Sequence, residues 1–272
     1  MDLLKLIVLA IIQGITEILP ISSSGHLILF KHIFGIENYG LTLEIFLHVG
    51  SLIAIIFYYR HELKKLLFDS FSYVFNKIDR NNTQKNFKLL CYLLVSTFIT
   101  GFFALLFMDF IETSLGSITF LPFFFLITAI GLFFIKNIKS NKCLNDISLL
   151  DSIKIGLFQV LGIIPGISRS GSTIIGCKFS KLDDASSFKY SFLLFIPITL
   201  SSFILKLFNI SNMQELMIYP SYYYFIGIIT SCIVTYISIN LFSSLIKKES
   251  MHYFSYYLII ISLITIIVSR FQ

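Results

Sequence analysis

Two short polar segments of this chain contain the residue types that could carry out chemistry on phosphate. Residues 13–26 read QGITEILPISSSGH and combine a carboxylate with three serine hydroxyls, a glycine and an imidazole. Residues 159–171 read QVLGIIPGISRSG and add a guanidinium to a similar set of serines and glycines. Each segment interrupts an apolar sequence at a point where a membrane helix would otherwise continue. We therefore predict a polar catalytic centre inside an integral membrane protein.

The second segment is suited to binding a phosphate group. The planar guanidinium of Arg169 can hold two phosphate oxygens at once. A helix that begins near Ser170 would direct backbone N–H groups at the same anion. Glycines let the backbone approach a ligand closely. The phosphate-binding residues predicted across both segments are Ser22, Ser24, Gly25, Ser168, Ser170, Gly171 and Thr173.

The first segment carries the candidates for bond cleavage. His26 can act as a general acid or base near neutral pH, or it can accept a phosphoryl group. Glu17 can act as a base or hold a divalent cation that screens the phosphates. The attacking group stays open among His26, one of the serines at 22–24, and an activated water molecule. The predicted catalytic residues are Glu17, Ser23, His26 and Arg169.

The two charged side chains need a polar environment. A charge at the bilayer centre costs about 2.5–3.5 kcal/mol, so Glu17 and Arg169 together would cost about 5–7 kcal/mol if each faced lipid alone. That sum is comparable with the whole net stability of a domain, about 5–15 kcal/mol. We therefore expect the two side chains to share one cavity. The alternative is that they form only a structural ion pair, which holds the two halves of the chain together.

Composition places the chain among polytopic membrane proteins. Its 272 residues are 56% hydrophobic and 13% charged, with a mean hydropathy of +0.85, whereas soluble globular proteins are about 25% charged. The net charge of +6 is small for a nucleic-acid-binding protein and is better explained by orientation in a bilayer, so we expect no nucleic-acid partner. The four cysteines form no C-x-x-C pair, and we expect no disulfide or metal site from them.

Six apolar segments are long enough, or nearly so, to cross the hydrocarbon core, which needs about 20 residues. They are residues 43–59, 87–108, 118–135, 188–208, 222–246 and 253–268. Shorter apolar segments flank each polar one, at residues 3–12, 27–36, 153–164 and 172–179. Two short helices joined by Ser-, Gly- and Pro-rich backbone predict a re-entrant hairpin, which needs protein or a water-filled cavity around it. The basic connection after residue 59 is expected to include a polar loop over residues 76–86.

The two polar segments align without a gap and suggest an internal repeat. Ser22 falls on Ser168, and Gly25 falls on Gly171. A short helix and three long ones follow each segment. Because three is an odd number of membrane crossings, the second half must be inverted relative to the first. The predicted fold class is therefore an all-α polytopic membrane protein of two inverted-topology repeats, each a re-entrant helical hairpin plus three transmembrane helices. Residues 1–272 form a single integral membrane domain, with repeats at about 1–135 and 148–272.

Loop charges predict the orientation. Lysine and arginine concentrate in the connections after residues 59, 135 and 246, whereas the loops at 109–117 and 209–221 contain neither. The positive-inside rule places the basic connections in the cytoplasm. The first hairpin then enters the membrane from outside and the second from the cytoplasm.

Other polar residues give weaker signals. Glu44 and His48 lie one turn apart on one face of a predicted span, which fits either a packing role or a place in the wall of the cavity. The pair Tyr256 and Tyr257 is typical of interfacial anchors.

At these residues the chain resembles the undecaprenyl-diphosphate phosphatases of the bacitracin-resistance type. The similarity covers essentially the whole chain, through Q-G-I-T-E-I-L-P-I-S-S-S-G-H, F-L-H-V-G-S-L, P-G-I-S-R-S-G-S-T and S-F-L-L-F-I-P. The resemblance implies a multi-pass enzyme of the bacterial inner membrane that removes the terminal phosphate from undecaprenyl diphosphate. It implies an active site open to the outer, periplasmic side, a divalent cation (Mg2+ or Ca2+) and a homodimer. The undecaprenyl phosphate produced would carry cell-wall precursors, and bacitracin resistance would follow.

The family's motifs fall on the residues already singled out. Its paired acidic motif falls on Gln13 and Glu17, which are therefore the candidate metal ligands. Its serine turn falls on residues 22–24, its histidine on His26, and its arginine motif on residues 168–170, with Thr173 beyond. Many family members have glutamate where this chain has Gln13, and this difference weakens any arrangement that needs two carboxylates on one metal ion.

Two other functions compete with this interpretation. Inverted repeats with broken helices are equally typical of transporters, and a polyprenyl-phosphate flippase would use the same arginine to bind without cleaving. Lipid phosphatases of the acid-phosphatase type also use a serine–glycine–histidine turn, but the chain has no S-R-x-x-x-x-x-H motif of the kind they need.

Overall fold

The computed structural model describes residues 2–36, 41–75, 80–209, 219–246 and 251–270. The described part of the chain is helical, as predicted, with short π and 3-10 turns and one isolated β-bridge between Lys142 and Leu182. The helices are α1 Leu3–Thr16, α2 Ser23–Ile33, α3 Leu41–Tyr58, α4 Arg60–Phe75, α5 Arg80–Phe110, α6 Leu121–Phe134, α7 Leu149–Leu161, α8 Arg169–Phe179, α9 Asp184–Asn209, α10 Ser221–Ile246 and α11 His252–Val268.

Each of the six predicted spans coincides with a helix, although the helices differ in length. Within the described ranges, three stretches are long and apolar enough to cross a membrane: Thr83–Phe110, Asp184–Leu205 and Ser221–Phe242. Helix α3 meets the same criterion only together with α4, from which it is bent by 75°. Helices α6 and α11 are apolar but shorter. The chain is therefore a multi-pass membrane protein by the length and composition of its helices.

Helix α4 corrects the prediction for the connection after residue 59. Residues 60–75 are helical, and α5 already begins at Arg80, so most of the predicted polar loop at 76–86 belongs to a helix. One face of α4 packs against α5, where the Tyr73 ring stacks on Phe87 at 4.6 Å between centroids. On another face Leu67, Phe71 and Phe75 are exposed at a helical spacing of four residues. The many charges of this stretch favoured a loop in the prediction, although its apolar residues recur at a helical spacing.

Helices of the first half pack against helices of the second half. Helix α1 lies along α10, α7 lies along α5, and α6 lies along α11. Small residues make the contacts close: a Cβ atom on Gly14 would come within 2.8 Å of Val234, and one on Gly156 within 3.0 Å of the Ser96 Cα atom. Glycine and serine at helix crossings are typical of membrane proteins, because they let two backbones approach each other.

The polar segments are held in place by the apolar residues between their polar ones. Ile18, Leu19 and Ile21 are buried in the largest apolar cluster, with Leu121 and Phe125 of α6. This burial fixes the backbone of the break between α1 and α2. The four cysteines are free thiols in the structure.

Candidate functional site

The two polar segments start their helices with the same kind of serine side-chain cap. Ser22 caps α2, and its hydroxyl accepts a hydrogen bond from the Gly25 N–H at 3.2 Å. Ser168 caps α8 and accepts from the Gly171 N–H at 3.0 Å. Ser22 and Ser168, which align in the internal repeat of the sequence, therefore occupy equivalent positions. Each cap satisfies a backbone N–H that a helix start leaves without a partner.

The segments also meet in space. Arg169 forms an ion pair with Glu17, although 152 residues separate them. The Ser170 hydroxyl donates to the Leu19 carbonyl at 3.0 Å, which joins the start of α8 to the turn before α2. A Cβ atom on Gly25 would lie 3.0 Å from the Gly166 Cα atom and would clash with the Phe125 ring at 2.7 Å. The residue at 25 must therefore lack a side chain for the two turns to approach this closely.

Glu17 is the centre of the polar contacts. Its Oε1 atom accepts from Arg169, and its Oε2 atom accepts from Gln13 Nε2 and from the Ser23 hydroxyl at 2.7 Å. His48 Nδ1 lies 2.9 Å from the same Oε2 atom. The carboxylate is buried and is surrounded by donors on both oxygens. Such a set of partners offsets the cost of placing a charge at this depth.

A cavity of about 940 Å³ opens beside this cluster. Its polar wall is formed by both polar segments, with Glu44 and His48 of α3. Its apolar wall is formed by α5 and α9, including Phe98, Phe102, Leu105 and Leu205. The predicted site residues that line the cavity are Glu17, Ser22, Ser23, Ser24, Ser168, Arg169 and Ser170.

The starts of α2 and α8 both lie in the wall of this cavity. Each helix N-terminus carries a partial positive charge and favours an anion. The Arg169 guanidinium adds a full charge, and it is oriented by the Thr199 hydroxyl at 3.1 Å and by the Phe195 ring, whose centroid lies 4.3 Å from Cζ. This end of the cavity is therefore suited to a phosphate group.

The other predicted site residues, Gln13, Gly25, His26, Gly171 and Thr173, are not among those that line the cavity. The Gln13 amide contacts Glu17 from the side away from the cavity, and Gly25 and Gly171 allow close packing at the two turns. Thr173 lies one helical turn deeper than Arg169, where its hydroxyl donates to the Arg169 carbonyl and contacts Gln159 Oε1 at 3.1 Å. The structure thus gives Thr173 a contact between α7 and α8, and its phosphate contact stays a prediction.

His26 lies behind the serine turn. Only 1% of its surface is exposed, and its Nδ1 atom lies 2.8 Å from the Ser22 carbonyl oxygen. Its Nε2 atom lies 2.8 Å from the Tyr257 hydroxyl. Both ring nitrogens are therefore engaged away from the cavity. The predicted role of His26 as attacking group has no support in this geometry.

Four residues near the charged cluster were missing from the predicted site or left undecided. His48 and Glu44 line the cavity, and Glu44 also binds Lys31 at 3.0 Å. Thr199 and Phe195 hold the Arg169 guanidinium from α9. The motif S-F-L-L-F-I-P, which includes Phe195 and leads up to Thr199, was the sequence signal for these two residues.

The predicted metal ligands Gln13 and Glu17 are engaged mainly with other side chains. The described part of the chain holds no group of three or more His, Cys, Asp or Glu residues placed to bind a metal ion. Protein donors already occupy both oxygens of Glu17. Gln13 Oε1 is buried without a hydrogen-bond partner and would suit an ion or a water molecule, but it is a single neutral ligand. Gln13 and Glu17 stay the candidate ligands, and the divalent cation stays a prediction.

The ion pair predicts a coupling between the two halves. Removing one partner leaves a buried charge, so we expect Glu17→Gln and Arg169→Gln each to destabilise the purified protein. The double variant should be less destabilised than the sum of the two, by about 0.5–3 kcal/mol. Thermal unfolding in one detergent measures the stability of the wild type, the two single variants and the double variant. Strictly additive effects would show that the two side chains do not interact.

Comparison with known proteins places this site in a family. A family model described as "Bacitracin resistance protein BacA" matches residues 6–264. A protein of Bacillus cereus named "Undecaprenyl-diphosphatase 1" is 36% identical over 266 residues, which cover 97% of each chain. An "Undecaprenyl-diphosphatase" of Oceanobacillus iheyensis is 36% identical over 265 residues, or 96% of this chain and 94% of the relative.

These matches extend through both polar segments and through the helices that hold them. The resemblance noted in the sequence motifs is therefore confirmed over nearly the whole length. The chain belongs to the BacA family of bacitracin resistance proteins.

Proposed function

We propose that this protein hydrolyses undecaprenyl diphosphate and releases its terminal phosphate, leaving undecaprenyl phosphate. The printed names of the relatives support this substrate. The observation that carries the proposal is that Arg169, the starts of two helices and the Glu17–Ser23 pair all line a single cavity. The product would serve as a carrier of cell-wall precursors, and bacitracin resistance would follow from its supply.

The lining of the cavity supports a lipid diphosphate as substrate. One part of the lining is polar and rich in donors, as a diphosphate needs. Another part consists of aromatic and aliphatic side chains of α5 and α9, which suit an isoprenoid chain. The substrate would lie with its charged end at Arg169 and its apolar end along these helices. An isoprenoid tail can then stay in an apolar environment while its phosphates enter the protein.

Ser23 is the proposed attacking group. Its hydroxyl lines the cavity and donates to Glu17 at 2.7 Å, so a base is already in hydrogen-bonding contact with a nucleophile. The Ser23 oxygen would bond to the terminal phosphorus while its proton passes to Glu17. The bond from that phosphorus to the bridging oxygen would break, and undecaprenyl phosphate would leave with the bridging oxygen. Water would then cleave the phosphoserine and release inorganic phosphate.

Arg169 is proposed to stabilise the charge that develops on the transferring phosphoryl group. Such positioned cations supply most of the catalysis in phosphoryl transfer. Ser22, Ser24 and Ser168 line the same cavity and would donate to the remaining phosphate oxygens, whereas the Ser170 hydroxyl already donates to the Leu19 carbonyl. The ion pair with Glu17 would hold the Arg169 guanidinium in place until a phosphate competes for it.

The divalent cation stays a prediction that rests on the resemblance. Mg2+ or Ca2+ would screen the charge on the diphosphate. A chelator arm in the phosphate-release assay, followed by addition of either metal, measures whether the cation is required.

Transport without hydrolysis, the alternative left open by the sequence, has no observation in its favour. The same cavity could bind a polyprenyl phosphate. The relatives described above carry the name of a hydrolase, and Ser23 is already hydrogen-bonded to a carboxylate, as hydrolysis needs. Both observations favour the phosphatase over the flippase.

We also propose the inverted-repeat architecture in a bacterial inner membrane, with repeats at residues 1–135 and 148–272. Two features support it: the matching caps at Ser22 and Ser168, and the reciprocal packing of α1 on α10 and α7 on α5. The active site would open to the periplasm. The homodimer implied by the resemblance stays a prediction that the molecular mass in detergent would test.

Phosphate release from undecaprenyl diphosphate tests the function. We expect purified wild-type protein in detergent to release phosphate, and Ser23→Ala to lower the rate by on the order of 10³-fold or more, as loss of a nucleophile does. Ser24→Ala removes a neighbouring hydroxyl and should lower the rate by less than about tenfold. Absence of phosphate release by the wild type would contradict the proposed function. Equal rates for the two variants would contradict the role of Ser23.

Cysteine labelling in whole cells tests the orientation. In a background with the four native cysteines replaced by serine, we expect Ser117→Cys to react with a membrane-impermeant maleimide from outside. Lys139→Cys should react only after the membrane is opened. Both positions are exposed in the structure, so a difference in labelling reports sidedness. The reverse pattern would contradict the proposed orientation.

A further inference from the structure

The imidazole of His26 joins the serine turn to the last helix. Its Nδ1 atom lies 2.8 Å from the Ser22 carbonyl oxygen, and its Nε2 atom lies 2.8 Å from the hydroxyl of Tyr257 on α11. The two rings are stacked, with 6° between their planes, and the Phe125 ring packs edge-on against the imidazole. The histidine is therefore fixed on both nitrogens and on its ring faces.

The hydrogen-bond partners define the tautomer of a neutral ring. A carbonyl oxygen can only accept, so Nδ1 must carry the proton. Nε2 is then an acceptor, and Tyr257 donates its hydroxyl proton to it. Without the tyrosine hydroxyl, the buried Nε2 acceptor has no partner, and the ring is held by its Nδ1–H contact alone. The orientation of Nδ1 toward the Ser22 carbonyl is then less firmly fixed.

The Ser22 carbonyl belongs to a strained part of the backbone. Ser22 has a φ of +68°, a region that residues with a side chain rarely adopt. Such a conformation persists only where the surroundings hold it. The His26 contact is one such support, and it acts on the residue next to Ser23. A shift of this turn would move the Ser23 hydroxyl away from Glu17.

Helix α11 is itself firmly placed. It packs along α6, and the Ser262 hydroxyl donates to the Pro122 carbonyl at 2.9 Å. Phe125 on α6 contacts the other side of the imidazole. The Tyr257 ring is 38% exposed, yet its hydroxyl points inward to His26. Tyr257 thus departs from the interfacial anchor predicted for it.

We propose that Tyr257 is a positioning residue for the reaction, acting through His26 on the backbone of the serine turn. The inference rests on the proposed function, because it concerns the geometry of Ser23. It assigns His26 to the support of the turn and not to attack on phosphorus. Because Tyr257 is not among the residues that line the cavity, its loss should affect turnover more than substrate binding.

Tyr257→Phe is the direct test, with Tyr256→Phe as the matched control on the same helix. We expect Tyr257→Phe to lower kcat for phosphate release by about 5–10-fold, the equivalent of one hydrogen bond. KM should stay within about twofold of wild type, and the thermal midpoint within about 2 °C. Tyr256→Phe should match wild type in all three. An unchanged kcat in Tyr257→Phe, or an equal loss in Tyr256→Phe, would overturn the proposal.

A second comparison separates positioning from chemistry at His26. The side-chain amide of His26→Asn can place a donor near the position of Nδ1, whereas His26→Ala cannot. We expect the asparagine variant to keep at least about tenfold more activity than the alanine variant, because the Ser22 carbonyl keeps a side-chain donor only in the asparagine variant. Adding Tyr257→Phe to His26→Asn should cause no further loss, since no ring acceptor remains. Equal inactivity of the two histidine variants would overturn the positioning role.

The outcomes also distinguish this inference from the proposed function. If wild-type protein releases no phosphate, the proposed function fails and the inference fails with it. If wild type is active and Tyr257→Phe is equally active, only the inference fails.

Discussion

The ion pair between Glu17 and Arg169 is the interaction on which the rest of the site depends. It joins two segments that lie 152 residues apart, and it does so in a region of apolar helices. Neither charge could be held there alone, because a low-dielectric environment penalises an isolated ion by several kcal/mol. The pair brings the starts of α2 and α8 into the wall of one cavity. It thereby creates a place where a phosphate group meets cationic and dipolar partners together.

The partners of this pair come from three parts of the chain. Ser23 and Gln13 approach Glu17 from the first polar segment, and His48 approaches it from α3. Thr199 and Phe195 orient Arg169 from α9. Each partner satisfies a donor or acceptor that would otherwise be buried without one. A phosphate that enters the cavity must compete with Glu17 for the guanidinium, so substrate binding would release the carboxylate to act on Ser23.

The sequence contained much of this site because its residue types were local and repeated. The aligned serines and glycines of the two segments predicted equivalent positions, and Ser22 and Ser168 do cap their helices in the same way. The cost of two charges in a membrane predicted that Glu17 and Arg169 would meet. Helices α3, α5 and α9 to α11 followed from apolar length alone.

The remaining features depend on contacts between distant residues. Tyr257 reaches His26 over 231 positions, and no periodicity in the sequence indicates which side of α11 faces the serine turn. His26 has the residue type of a catalytic group, yet its direction is set by the helix start at Ser22. His48 could be assigned to a face but not to a partner. Helix α4 was missed because its charges resemble those of a loop, although its apolar residues have a helical spacing.

If this cavity is the active site, Arg169 must act through the geometry of its guanidinium and not through charge alone. The most direct measurement is the rate of phosphate release from undecaprenyl diphosphate by Arg169→Lys in detergent, beside the wild type. A lysine keeps the charge but cannot hold two oxygens in one plane. We expect the rate to fall by on the order of 10³-fold, as for loss of an arginine in other phosphoryl-transfer enzymes. A rate close to that of the wild type would contradict the assignment of this cavity as the active site.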